Sequence, residues 1–98
     1  MIALTLDLQE GFDGDQVVMA IDGREVFRKT GVRTRLQIGL AERVKLDVEP
    51  GRHNLRVSLP DRSLHGERQF DAKSEPALAV SVSAGSIDIG PPKAPGYV

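Results

Sequence analysis

The chain has 98 residues and a formal net charge of −1. Its length fits one domain with a single core and excludes a second domain. It contains no cysteine, which excludes a disulfide framework and thiolate chemistry. Hydrophobic residues make up 40%, with only three phenylalanines and one tyrosine, so the core must be built mainly from Val, Leu and Ile, which favour sheets.

The first third of the chain predicts three strands. Residues 2–9 alternate between apolar and polar side chains, which indicates a first strand, and a turn rich in Gly and Asp follows at 10–15. Residues 17–21 are apolar at every position, so this strand is either covered on both faces or carries a face that meets a partner. Asp22-Gly23 is a strong hairpin signal, and residues 24–29 return from it.

The middle of the chain carries two further stretches with a period of two. Residues 35–40 predict a strand, with two leucines and an isoleucine on one face. Residues 43–59 predict a hairpin that turns at Pro50-Gly51, because apolar and charged side chains alternate on both sides of that turn. With Val48 opposite His53, one face of this hairpin is apolar and the other charged, as a half-buried sheet requires.

The last third predicts three more strands. Residues 67–72 are short and charged, with Phe70 as the only large apolar side chain, which is typical of a sheet edge. Residues 77–83 alternate again, a turn follows at 84–86, and residues 87–89 form a short final strand.

The predicted fold is all-β. About seven to nine short strands, separated by turn signals, are typical of an antiparallel β-sandwich with immunoglobulin-like architecture. A small β-barrel is the alternative, since strand spacing alone does not separate the two. We expect one sandwich domain over residues 1–90, and a flexible or surface-draped tail over residues 91–98, whose prolines cannot join a strand ladder.

Two segments resemble a known family. Residues 18–26 (VMAIDGREV) and 46–57 (LDVEPGRHNLRV) are similar to PEGA domains, small bacterial surface-layer and kinase-associated modules. The shared pattern has two parts. The first is an apolar strand, a DG turn and a return strand; the second is a strand that ends at PG, followed by a strand in which apolar and polar residues alternate. The motif that names the family is missing here, and the segment between the two matches is long. The resemblance implies a non-catalytic sandwich that contacts proteins or cell-envelope polymers.

Charge is distributed unevenly along the chain. Residues 1–23 carry five acidic residues and no Lys or Arg, whereas residues 24–68 carry eleven basic residues against six acidic ones. We expect these two segments to attract each other within one fold, and contact between copies is the alternative.

The leading functional hypothesis is a non-enzymatic domain for protein interaction or self-assembly. Its predicted contact residues come from the all-apolar strand and the edge strand: Val17, Met19, Ile21 and Phe70. The alternative is a glycan- or polyanion-binding module with an Arg-rich sheet face: Arg33, Arg35, Arg52 and Arg56. Nucleic acid is a disfavoured partner, because the few aromatic side chains are scattered and the net charge is slightly negative.

Catalysis and cofactors have little support in the sequence. His53 and His65 are the only histidines and come with no cysteine, so structural roles are expected, and a metal site would need Asp61 or Glu67 to complete the pair. Asp13-Gly14-Asp15 has calcium-type ligands but returns at once to a strand, which favours a plain turn. No serine has the context of a nucleophile elbow, and no glycine-rich loop precedes a helix. We expect the protein to have no enzymatic activity and to bind no metal ion or cofactor.

The expected location is the cytoplasm. The chain shows no signal peptide and no apolar run of membrane-spanning length, although a processed secreted domain would look the same.

Overall fold

Eight strands make up the part of the chain that the structure describes, and most follow the alternation of apolar and polar residues. The computed structural model describes residues 1–92, so residues 93–98 of the predicted tail lie outside it. The strands are β1 (Ile2–Leu8), β2 (Asp13–Ile21), β3 (Arg24–Arg33), β4 (Glu42–Val48), β5 (Arg52–Leu59), β6 (Leu64–Asp71), β7 (Ala77–Ser83) and β8 (Ser86–Gly90). A short 3₁₀ turn, Pro60–Arg62, connects β5 to β6. The described part of the chain holds no helix with the length and apolar character that a membrane crossing needs.

The strands form two four-stranded sheets packed face to face. The strand order is β4-β1-β7-β8 in sheet A and β3-β2-β5-β6 in sheet B. Neighbouring strands are antiparallel, except that β1 and β7 are parallel. The sheets do not close into a barrel, so the predicted all-β sandwich is confirmed and the barrel alternative is wrong.

The core lies between the sheets and is mainly aliphatic. Alternate residues of each inner strand point into it, as the period of two requires. Its largest fully buried side chains are Leu4, Leu6, Leu8, Met19, Leu55, Leu59, Leu78, Val17, Val57 and Val80. Phe12 and Phe70 are buried with them, at 3% exposure each.

The residues predicted as an interface belong to this core. All four are buried, with exposed fractions between 0% and 7%: Val17, Met19, Ile21 and Phe70. Strand β2 lies between β3 and β5, and Val18 and Ala20 on its outer face are half-buried beside those neighbours. The all-apolar run therefore supplies one core face and a partly shielded outer face, and its buried side chains are not available to a partner.

Residues 43–59 form two strands, as predicted, but those strands are not a hairpin. Strand β4 joins sheet A, where Val48 lies opposite Ile2, and β5 joins sheet B, where His53 lies opposite Phe70. The turn between them carries the chain from one sheet to the other. The prediction was wrong because alternation identifies the apolar face of each strand, and both arrangements bury that same face.

Other sequence-based predictions agree with the structure. Asp22 and Gly23 form a two-residue hairpin turn between β2 and β3, with φ angles of 53° and 83°. Strand β6, which includes most of the predicted edge segment, lies at the edge of sheet B.

Four connections meet at one end of the sandwich, which we call the loop end. They are the β1–β2, β3–β4, β5–β6 and β7–β8 connections, because strands that follow one another run in opposite directions. Backbone hydrogen bonds hold this end together: Ala41 N–H donates to the Leu8 carbonyl at 2.7 Å, and Gln9 N–H donates to the Val80 carbonyl at 2.7 Å.

Candidate interaction site at the loop end

The β3–β4 loop, residues 34–41, is a hydrogen-bonded turn and not the predicted strand. Arg35 N–H donates to the Leu40 carbonyl at 3.1 Å, and the N–H groups of Ile38 and Gly39 donate to the Arg35 carbonyl at 3.2 and 2.8 Å. Arg35 and Leu40 therefore pair with each other in an isolated antiparallel bridge. Gly39 has a φ of 63°, a left-handed conformation that reverses the chain at little cost for glycine.

Thr34 fixes the base of this loop to the β1–β2 connection. Its hydroxyl donates to the Gln9 carbonyl at 2.7 Å and accepts the N–H of Phe12 at 3.1 Å. Its own N–H donates to the Phe12 carbonyl at 3.0 Å. Because the Phe12 side chain is buried in the core, these bonds attach the loop to the most stable part of the fold.

The tip of the loop exposes two aliphatic side chains. Leu36 is 91% exposed and Ile38 is 39% exposed, and Met1 is the other large exposed hydrophobic residue in the described range. A single exposed leucine is ordinary on a protein surface. Here the two side chains lie on a loop that its own hydrogen bonds hold in place, next to a surface groove.

The groove has a volume of about 470 Å³ and runs between the end of β3 and the start of β4. Its lining comes from the edge strands of both sheets and from the loop: Lys29, Gly31, Val32, Arg33, Thr34, Arg35, Leu36, Gln37, Ala41 and Glu42. Val32 belongs to the core at 2% exposure, so Leu36, at 91%, is the most exposed apolar residue of the lining.

A β-bulge bends β3 at this groove. Lys29 lies opposite Val17 and Val32 lies opposite Asp15, so Thr30 and Gly31 together face a single residue of β2. Gly31 has a φ of 69° and nothing within 4 Å of the place where a Cβ would lie. The bulge interrupts the regular edge of β3, which disfavours addition of a further strand there.

Positive charge is in excess along the groove. Lys29 pairs with Glu42, and Arg33 pairs with Asp13 at 2.7 Å on the rim. Arg35 is exposed and has no side-chain hydrogen bond or ion pair within residues 1–92. The groove therefore presents one guanidinium whose five N–H donors are available.

The acidic opening and the basic middle of the chain attract each other within this fold, as predicted. Four aspartates of the opening pair with residues of the middle segment: Asp7 with Arg43, Asp13 with Arg33, Asp15 with Arg62, and Asp22 with His53. These pairs account for much of the uneven charge, and contact between copies is not needed to explain it.

The four arginines of the predicted polyanion face do not share one surface. Arg33 and Arg35 are at the loop end, Arg52 begins β5 at the opposite end, and Arg56 lies along sheet B. Two of them already have acidic partners: Arg33 with Asp13, and Arg56 with Glu67 at 2.9 Å. The structure brings only Arg33 and Arg35 together.

Three of the residues considered for metal binding have other partners: Asp13, Asp15 and His53. Asp13 and Asp15 face arginines, and His53 lies between the Asp22 carboxylate and the Glu49 carbonyl. Within residues 1–92 no group of three or more His, Asp or Glu residues is arranged to hold a metal ion.

Sequence reasoning missed the exposure of Leu36 and Ile38. Both fitted a strand pattern, and a strand pattern assigns such residues to the core. The available signal was Gly39, because a glycine inside an alternating run of six residues indicates a bend or bulge.

Comparison of the chain with protein-family models, with curated proteins and with solved structures finds no match. The resemblance to PEGA domains therefore stays a prediction.

Proposed function

We propose that this protein is a non-enzymatic β-sandwich of immunoglobulin-like type that binds another protein through its β3–β4 loop. The observation that carries the proposal is Leu36, a leucine 91% exposed on a loop closed by three backbone hydrogen bonds. Burial of a leucine side chain contributes about 1.5–3 kcal/mol. A loop already held in one conformation loses little entropy on binding, so more of this energy is available for affinity.

The gathering of four connections at one end supports the immunoglobulin-like comparison. Sandwich domains of that type present recognition loops at the end of a stable scaffold. Here the scaffold is the aliphatic core, and Thr34 connects the recognition loop to it. The proposal assigns no catalytic residue and no cofactor.

Self-assembly is a second form of the same function. Light scattering over a range of concentrations gives the mass of the chain in solution. We expect a monomer, which leaves the loop available to a different protein. A stable oligomer that dissociates in the Leu36→Ser variant would instead identify a second copy of the chain as the partner.

Polyanion binding has weaker support from the geometry. The four predicted arginines are spread over both ends of the sandwich, and two of them have acidic partners. On a heparin column at low salt we expect the protein to elute without delay. Retention that falls steeply with added salt would favour the polyanion alternative.

Peptide selection tests the proposed interaction directly. A random library of displayed dodecapeptides is selected on the biotinylated full chain, and each recovered clone is measured again on two variants, Leu36→Ser and Gln69→Ser. Gln69 is the control, because it is an exposed side chain on the edge strand β6 and does not line the groove. We expect the dominant clones to bind Leu36→Ser at least about tenfold more weakly and Gln69→Ser unchanged. Clones that bind all three proteins equally would contradict the proposal.

A further inference from the structure

The groove beside the loop tip combines an exposed aliphatic side chain, Leu36, with a cation that has no partner among the described side chains, Arg35. Its lining carries three basic side chains against one acidic side chain, Glu42. Glu42 already pairs with Lys29. A ligand that fits this groove therefore has apolar character and carries negative charge.

Arg35 is placed to provide the charged contact. Its N–H and its carbonyl group both take part in the hydrogen bonds that close the loop, so its Cα is fixed relative to the groove. Its guanidinium has no partner among the described side chains. A fixed backbone with a free guanidinium suits a bidentate contact with a carboxylate, which matches the planar arrangement of the arginine donors.

Backbone pairing of a partner strand with β3 is disfavoured at the groove. The bulge at Thr30 and Gly31 breaks the regular edge of β3 next to it. On this side of the groove recognition depends on side chains, and the strongest contacts on offer are the exposed aliphatic surface of Leu36 and the charge of Arg35.

We propose that the groove binds a short segment of a partner protein in which an Asp or Glu side chain pairs with Arg35 and a nearby apolar side chain packs against Leu36. This inference rests on the proposed interaction through the β3–β4 loop and adds the chemistry of the partner.

The test uses the clones from the peptide selection whose binding depends on Leu36. We expect their sequences to be enriched in Asp or Glu with an apolar residue close by, relative to the unselected library. Synthetic peptides of these sequences are then measured on the full chain and on three variants: Arg35→Gln, Arg35→Glu and Arg24→Glu. Arg24 is the matched control, because it is an exposed arginine at the opposite end of β3 with no partner among the described side chains.

We expect affinity to fall about tenfold in Arg35→Gln and further in Arg35→Glu, and to change less than about twofold in Arg24→Glu. Replacement of the peptide's acidic residue by Lys should restore binding to Arg35→Glu. Circular dichroism confirms that each variant keeps its sheet content.

The outcomes separate this inference from the proposed function. Clones that depend on Leu36 but carry no acidic residue, or that bind Arg35→Glu normally, would overturn the inference and leave the loop as the interaction site. An absence of clones that depend on Leu36 would overturn both. Self-association that Arg35→Glu abolishes would identify a second copy as the occupant and overturn the assignment to another protein.

Discussion

The Nδ1 atom of His53 lies 2.6 Å from the carboxylate of Asp22, and its Nε2 atom lies 2.7 Å from the carbonyl oxygen of Glu49. Both ring nitrogens therefore face acceptors. A neutral imidazole can donate from only one nitrogen, whereas the imidazolium donates from both. This ring joins the β2–β3 turn to the β4–β5 turn, at the end of the sandwich opposite the loop end.

The His53 link makes stability depend on pH. The hydrogen bond with Asp22, and then that with the Glu49 carbonyl, raise the pKa of His53 above its ordinary value of 6.5. A raised pKa means that the stabilisation is complete below about pH 6.5 and is lost as the pH rises through the folded-state pKa. The hydrogen bond with His53, and then that from Asn54 N–H, lower the pKa of Asp22 below 3.8, so its contribution is lost as the pH falls through that lowered value.

We expect the link to contribute most between about pH 4 and 6.5. Urea unfolding between pH 4 and 9 measures this, with His53→Gln as the test and His65→Gln as the matched control. The free energy of unfolding should decline above pH 6.5 in the natural chain and in His65→Gln, and this decline should be much smaller in His53→Gln. An equal decline in all three proteins would show that His53 is not responsible.

Asp15 and Arg62 form an ion pair between a buried carboxylate and a partly exposed guanidinium, and we expect it to contribute strongly to stability. Asp15 is 5% exposed and accepts two hydrogen bonds of 2.8 Å from Arg62 and one of 2.9 Å from Asp13 N–H. Burial raises the pKa of Asp15, but the hydrogen bonds from Arg62 and from the Asp13 N–H outweigh it, and the pKa lies below its ordinary value. The Arg62→Gln variant leaves this carboxylate without its charged partner.

That loss should lower the free energy of unfolding by about 2–3 kcal/mol, because a buried charged acceptor is then left without its hydrogen bonds from Arg62. The neighbouring pair of Asp13 and Arg33 is the control, since both of its side chains are more than two thirds exposed. The Arg33→Gln variant should lose less than about 1 kcal/mol. Similar losses in the two variants, measured by urea unfolding, would refute the distinction.

Gly11 is required because the backbone of β7 passes directly beside it. A Cβ at this position would lie 1.9 Å from the Val82 carbonyl oxygen, and the residue has a φ of 89°. Gly23 has a similar φ of 83° but nothing within 4 Å, so Gly23→Ala measures the backbone cost alone. We expect a loss of about 1–2 kcal/mol for Gly23→Ala and at least about 2 kcal/mol more for Gly11→Ala, by thermal or urea unfolding. Equal losses would mean that β7 moves aside without cost.

Met19 and Leu36 have opposite environments, and their truncation should separate stability from binding. Met19 is fully buried, so Met19→Ala should cost about 2–5 kcal/mol. Leu36 is 91% exposed, so Leu36→Ala should change the free energy of unfolding by less than about 0.5 kcal/mol. A large loss of stability in Leu36→Ala would show that the loop tip packs against the fold and is not available to a partner.

The sequence predicted the fold class and most of the strands, but not the pairing of β4 and β5. Alternation shows which side chains are buried, and Leu46 and Leu55 do lie on inward-facing positions. Alternation carries no information on which strands are neighbours, so a turn within one sheet and a turn between two sheets look alike in the sequence. Pairing across the two sheets depends on long-range contacts that local patterns do not contain.

The candidate site was only partly predictable for a related reason. Arg33 and Arg35 were named for their charge, and the structure places both beside the groove. Leu36 was assigned to a strand, because apolar residues at a period of two normally lie in a core. Its exposure follows from the hydrogen bond between Gly39 N–H and the Arg35 carbonyl, which closes the loop before it can reach a neighbouring strand.

The parallel pairing of β1 with β7 places a demand on synthesis of the chain. Strand β1 is synthesised before both of its neighbours, since it lies between β4 and β7 in sheet A, and Thr5 lies opposite Ala77. Until residues 77–83 have emerged, one edge of β1 has no partner and the sandwich has no complete inner face on that side. Pairings this distant along the chain slow folding, so a chaperone that binds extended apolar segments has its longest opportunity at β1.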